Sequence, residues 1–303
     1  MGLPRLRTRS PDGGLCARRP SRRLPLRRKF MLPFAMCAIL LAASAVRADV
    51  NINAPLLEMA PVIDGDLAEW KDRAHNDGVW DMRRISEAGF YRLDRGARNR
   101  LTDHGDEPHL EDDLRARYYI AWDAQNFYFG AEVWDNVNDL DDPDPADKRW
   151  YFKDAICWFM EGPRDRANER FGQGDNAFCF VADPQRTPQN AWWRHGAPGQ
   201  SYIEEPIPEA ACDYVVRMDP WGRSAADFIL EARVDMHATF AQSDPRWQPP
   251  QVGDEYSMEI VHTDPDGGAY GGHFMIYGNG DDDNTWGRMI LVGPRMPIGR
   301  LAE

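Results

Sequence analysis

The chain has 303 residues with 36 basic and 49 acidic side chains, a formal net charge of −13. This excess of carboxylates argues against nucleic acid or an anionic membrane as partner, because both are polyanions that recruit basic patches. Neutral sugars and divalent cations remain compatible, and the cysteines left after the basic leader show no zinc-type spacing.

Residues 1–48 read as a targeting segment. Arginines crowd its first part, an apolar run extends from Met31 to Val46, and Val46-Arg47-Ala48 suits a signal peptidase. The run is shorter than the roughly 20 residues that span a bilayer, so stable membrane insertion is not expected. Arg27-Arg28-Lys29-Phe30-Met31 resembles a twin-arginine export signal, with the Sec route equally open. The expectation is a secreted or periplasmic protein, cleaved near Ala48, with one domain over 49–303. Its remaining cysteines are Cys157, Cys179 and Cys212.

Short alternating segments follow. Tyr118, Ile120 and Trp122, a turn at Asp123-Ala124-Gln125-Asn126, then Phe127, Phe129, Ala131 and Val133 predict a hairpin. Phe228, Leu230, Ala232 and Val234 interleave with Ile229, Glu231 and Arg233, and Tyr256, Met258 and Ile260 alternate with Ser257 and Glu259. Further strands are predicted over 155–160, 176–181, 212–218, 272–277 and 287–292. Helical periodicity is nearly absent apart from a stretch near 81–100, and long loops are expected at 71–115, 136–153 and 183–210. Many strands without alternating helices predict an all-β fold, an antiparallel two-sheet β-sandwich of jelly-roll-like type, with a barrel as the second choice.

Six blocks carry a family resemblance. They are Pro61-Val62-Ile63-Asp64-Gly65 through Trp70, Tyr119-Ile120-Ala121-Trp122-Asp123 with Phe127-Tyr128-Phe129 and Val133-Trp134-Asp135, and Asp154-Ala155-Ile156-Cys157-Trp158-Phe159. Phe228 to Val234, Gly253-Asp254-Glu255-Tyr256 and Trp286-Gly287-Arg288-Met289-Ile290-Leu291 complete the order. In this order they resemble carbohydrate-binding module family 9 over most of residues 54–293. The resemblance implies a non-catalytic sandwich that holds a sugar between tryptophans, of a kind that accompanies enzymes of polysaccharide catabolism. An indole face packs against the apolar face of a pyranose while polar groups meet its hydroxyls.

By that resemblance Trp150 is the first candidate for stacking and Trp286 the second. Trp192, Trp193 and Arg194, in an expected loop, offer another platform. Cys157 and Cys179 stand where family members carry ligand-contacting Glu and Arg, which suggests a cross-strand disulfide in their place. Calcium is a further family association. Asp135, Asp139 and Asp141 head an oxygen-rich loop suited to it, and Asp281 to Asn284 form another.

Other readings stand beside this one. In a haem-binding sandwich of the related DOMON-type cytochrome class a Met and a His would ligate iron, but His273 and Met275 lie two apart on one strand and point the same way. A sandwich serving as scaffold or protein-interaction module is the other alternative. No nucleophile elbow, zincin motif or phosphate loop marks an enzyme.

Overall fold

The period-two segments become strands in the computed structural model, which describes residues 50–81, 83–84, 114–138, 150, 153–165, 172–183, 190–196, 202–264, 272–280 and 282–295. The leader, the stretch 85–100, and Asp139, Asp141 and Asp281 lie outside the described residues. In chain order the strands are β1 (Asn51–Pro55), β2 (Trp80–Asp81), β3 (Leu114–Trp122), β4 (Asn126–Asp135), β5 (Ala155–Glu161), β6 (Asp175–Val181) and β7 (Asn190–His195). They continue with β8 (Tyr202–Glu205), β9 (Cys212–Met218), β10 (Phe228–Asp235), β11 (Glu255–Asp264), β12 (Gly272–Met275) and β13 (Gly287–Val292).

Two sheets result. The larger runs β1-β13-β11-β5-β6-β7-β8, with β12 also paired to β11, and the smaller runs β2-β3-β4-β10-β9. Pairing is antiparallel except at one edge, where β1 joins β13 in parallel, a departure from the purely antiparallel expectation.

Alternation decides what faces inward. Phe127, Phe129, Ala131 and Val133 of β4 share one face, as do Ile156, Trp158 and Met160 of β5. Phe129 stacks on Trp158 across the gap with ring centroids 4.9 Å apart, and Phe178 and Phe180 of β6 pack around the same ring. This is the inter-sheet core, and it is aromatic. One polar pair crosses it: the Tyr118 hydroxyl and His262 Nδ1 are 2.8 Å apart, and burial pushes the His262 pKa down to about 3, so the imidazole is neutral.

The back of the smaller sheet is covered by residues 56–75. Leu67 and Trp70 lie over Gly130, where a β-carbon would come within 3.1 Å of Leu67 and 3.2 Å of Trp70, so a larger residue would lift the indole away. Glu231 holds this cover by accepting from the backbone of Asp64 and Gly65 and from the Trp70 indole.

Two sequence expectations change. The long loop over 183–210 contains β7 and β8. Both faces of the larger sheet are buried along β7, so Trp192 and Trp193 are both apolar and no polar alternation marks the strand. An unexpected α-helix, Met236–Ser243, is capped by Asp235, whose side chain accepts from the Ala238 amide. Its buried positions are Met236, Thr239, Phe240 and Ser243. Two of the four are hydroxyl residues, which blurs the apolar period.

Candidate functional site

The outer face of the larger sheet carries Trp193 of the aromatic residues singled out by the sequence, and Trp150 packs on it. Strand parity places Tyr202 and Glu204 of β8, Trp193 and His195 of β7, Ala177 and Cys179 of β6, Ala155 and Cys157 of β5, and His273 and Met275 of β12 on this face. Tyr202 stacks on Trp193 with centroids 4.7 Å apart and planes 15° from parallel. Trp193 meets Trp150 edge-on at 5.7 Å, and Trp150 stacks on His273 at the same separation. Trp150, which precedes β5, thus joins rings from strands on either side of β5 and β6 into a row of four.

Between these flanks, on the same face, β5 and β6 carry the small side chains Ala155, Ala177 and the half-cystines. Cys157 and Cys179 are register partners, with Cα atoms 4.0 Å apart and sulfurs joined in a disulfide.

The exposure of the candidates differs from expectation. Trp192 and Trp193 lie on a strand, not in a loop, and Trp150, Trp192, Trp193 and Trp286 are 4%, 0%, 9% and 3% exposed. Trp192 points into the core, donates to Asn176 at 3.0 Å and is capped by the Arg194 guanidinium, which pairs with Glu205 at 2.7 Å. Trp286 meets Phe159 edge-on and donates to the Asn279 carbonyl, so it serves packing. The ring of the row that does reach solvent is Tyr202, which sequence reasoning missed, at 36% exposed. Opposite it on β7 stands His195, and beside it is exposed Glu204. The alternation Tyr202-Ile203-Glu204 was the available signal.

Carboxylates gather in two places. Asp135 at the end of β4, Asp154 just before β5 and Asp264 at the end of β11 bring one oxygen each within 4.8 Å of the others, all three buried. Oxygens about 2.4 Å from a common calcium are at most about 4.8 Å apart, so this all-oxygen set fits such an ion. Asp154 and Asp264 were not among the sequence candidates.

The second group lies further along the outer face. Glu161, Asp165 and Asp283 approach equally closely, with Asp175 opposite Glu161 in register. Burial, together with the charges of Asp283 and Glu161, pushes the Asp175 pKa up to about 9, and burial pushes Asp283 up to about 6.

Other polar groups on this face are structurally committed. Glu259 accepts from the amides of Ile260, Ile276 and Tyr277 at 2.6–3.0 Å and so pins the turn after β12. Burial pushes its pKa up to about 7. Met275 sulfur accepts from the Gly280 amide and the His273 ring packs on Trp150, so both haem-ligand candidates are engaged in packing. A cleft of about 740 Å³ between β8 and β9 is lined by Pro206, Ile207, Pro208, Cys212, Tyr214 and Arg233, among others.

No family model matches the chain, and no curated protein matches it. Among solved structures it is similar to a carbohydrate-binding module family 9 protein from Caldicellulosiruptor kristjanssonii in complex with cellotriose. That alignment has 14% identity and a TM-score of 0.49, over 84% of this chain and 98% of the other. The complex of a family 9 module from the same organism with glucose aligns at 15% identity and a TM-score of 0.48, over 82% and 99% of the two chains.

Proposed function

We propose that this protein is an exported, non-catalytic carbohydrate-binding sandwich that takes a sugar ring on the outer face of its larger sheet, at Tyr202. The observation that carries this reading is the row Tyr202–Trp193–Trp150–His273, which is buried along most of its length and opens to solvent at a tyrosine ring. A phenol backed by a parallel indole is a rigid flat surface of about the size of a pyranose, and Glu204 and His195 beside it supply polar partners for hydroxyls. The six ordered sequence blocks and the basic, apolar leader support the same assignment. Trp150 and Trp193 act behind the contact, holding the tyrosine plane. At the positions where the resemblance implies a ligand-contacting Glu and Arg stand Cys157 and Cys179, which supports a contact moved away from them toward β8.

Calcium, in this reading, is a structural ion at Asp135, Asp154 and Asp264. It would neutralise three buried carboxylates and tie the ends of β4, β5 and β11 together.

The test is a titration with glucose and with cello-, xylo- and manno-oligosaccharides, followed by tryptophan fluorescence. Saturable binding that falls at least tenfold in Tyr202→Ala supports the reading. Silence across the panel, or binding indifferent to Tyr202→Ala, rejects it and favours the scaffold alternative.

A further inference from the structure

The opposite side of the sandwich carries a second aromatic surface. On β4, Trp134 has the outward parity of Glu132 and stands opposite Arg115 of β3. The loop joining β9 to β10 folds Trp221 onto it, with indole centroids 4.8 Å apart and planes 14° from parallel. The Arg115 guanidinium sits 5.7 Å from the Trp134 ring and forms no ion pair with any described residue. Trp221 remains 39% exposed.

The loop is built to hold this position. Asp219 takes a left-handed φ of 45°, and its amide donates to the Asp227 carbonyl. Asp227 is fully buried: one of its oxygens accepts from the Asp135 amide, at the end of the strand bearing Trp134, and its carboxylate also takes a two-pronged grip from Arg223. One carboxylate therefore clamps the loop carrying Trp221 to the strand carrying Trp134.

We infer that Trp221, stacked on Trp134, is a second saccharide platform that takes one neutral pyranose ring. Size favours this occupant. With 39% of the residue open, the accessible surface is about 100 Å², of the order of one sugar face. The Trp134 ring behind Trp221 keeps the contact flat, and the Arg115 guanidinium beside Trp134 is a polar group at the margin of the pair. This platform rests on its own rings and not on the Tyr202 face. The two lie on opposite sheets, so the protein would engage two sugar residues at once and gain avidity on a polymer.

The full chain, Trp221→Ala, Tyr202→Ala and the double variant are titrated with cellotriose, xylotriose and mannotriose by calorimetry, and their retention in gels containing soluble β-glucan, xylan or mannan is compared. Two sites per chain, or one surviving site in Tyr202→Ala that Trp221→Ala weakens at least tenfold, support the platform. Trp221→Phe should retain part of the binding. Wild-type behaviour of Trp221→Ala in both assays overturns this platform while leaving the Tyr202 reading intact. Loss confined to Trp221→Ala does the reverse. Concentration-dependent self-association abolished by Trp221→Ala, without sugar binding, identifies a self-contact and overturns the proposal.

Discussion

Trp70 and Glu231, 161 residues apart in sequence, are joined by a 2.7 Å hydrogen bond from the indole nitrogen to a buried carboxylate oxygen. The other oxygen takes the amides of Asp64 and Gly65, so one side chain fastens the opening segment to the smaller sheet. Glu231→Ala leaves three donors without their acceptor and is expected to lower unfolding free energy by about 3 kcal/mol. Glu231→Gln should cost less, because one acceptor oxygen remains. Denaturant melts of the two variants check the order.

The disulfide closes a sequence separation of 22 residues between adjacent strands. Cys157→Ser with Cys179→Ser is expected to destabilise the fold by about 3 kcal/mol, from the added freedom of the unfolded chain. Peptide mapping without reductant should recover the linked pair. Reductant should shift the melt of the wild type but not of the double variant.

Acid should stabilise this protein over part of the pH range. The folded-state pKa of Asp175 is pushed up to about 9 and that of Asp283 to about 6, both above the ordinary 3.8. The folded chain therefore holds protons that the unfolded chain has released. Their contribution is complete below about pH 4 and is lost as pH rises, through about 6 for Asp283 and about 9 for Asp175, at up to about 1.4 kcal/mol per pH unit per proton. Melting temperature should fall between pH 5 and 8, and Asp175→Asn should flatten that slope.

Calcium in excess should raise the melting temperature, and a chelator should reverse the rise. At a hundredfold excess over the dissociation constant the stabilisation is about 2.7 kcal/mol. Asp264→Asn should abolish the response while leaving the pH slope set by Asp175 in place. Calorimetric scans with and without the ion distinguish the two effects.

The sandwich was legible wherever one strand face is apolar and the other is not, as in β10, where Phe228 and Leu230 point inward while Glu231 and Arg233 point outward. It was not legible where both faces are covered, which hid β7 behind its adjacent tryptophans. The position of Trp150 is set by Trp193 and His273, on strands that sequence order does not bring near it. The carboxylate trio escaped for a similar reason, since Asp135, Asp154 and Asp264 meet only because three strand ends converge. Trp134 was visible in the sequence as an outward position on a hairpin strand. Its partner Trp221 was not, because a loop residue has no period.

Among the described residues the larger sheet ends at β8, four residues long, with Glu204 exposed and Glu205 paired to Arg194. A sheet border with unsatisfied backbone groups invites another chain to add a strand, and short length and like charge are the usual deterrents. In a chain already at −13, exposed Glu204 would repel its counterpart where two molecules met border to border. The proposed Tyr202 platform thus sits on a margin that discourages aggregation.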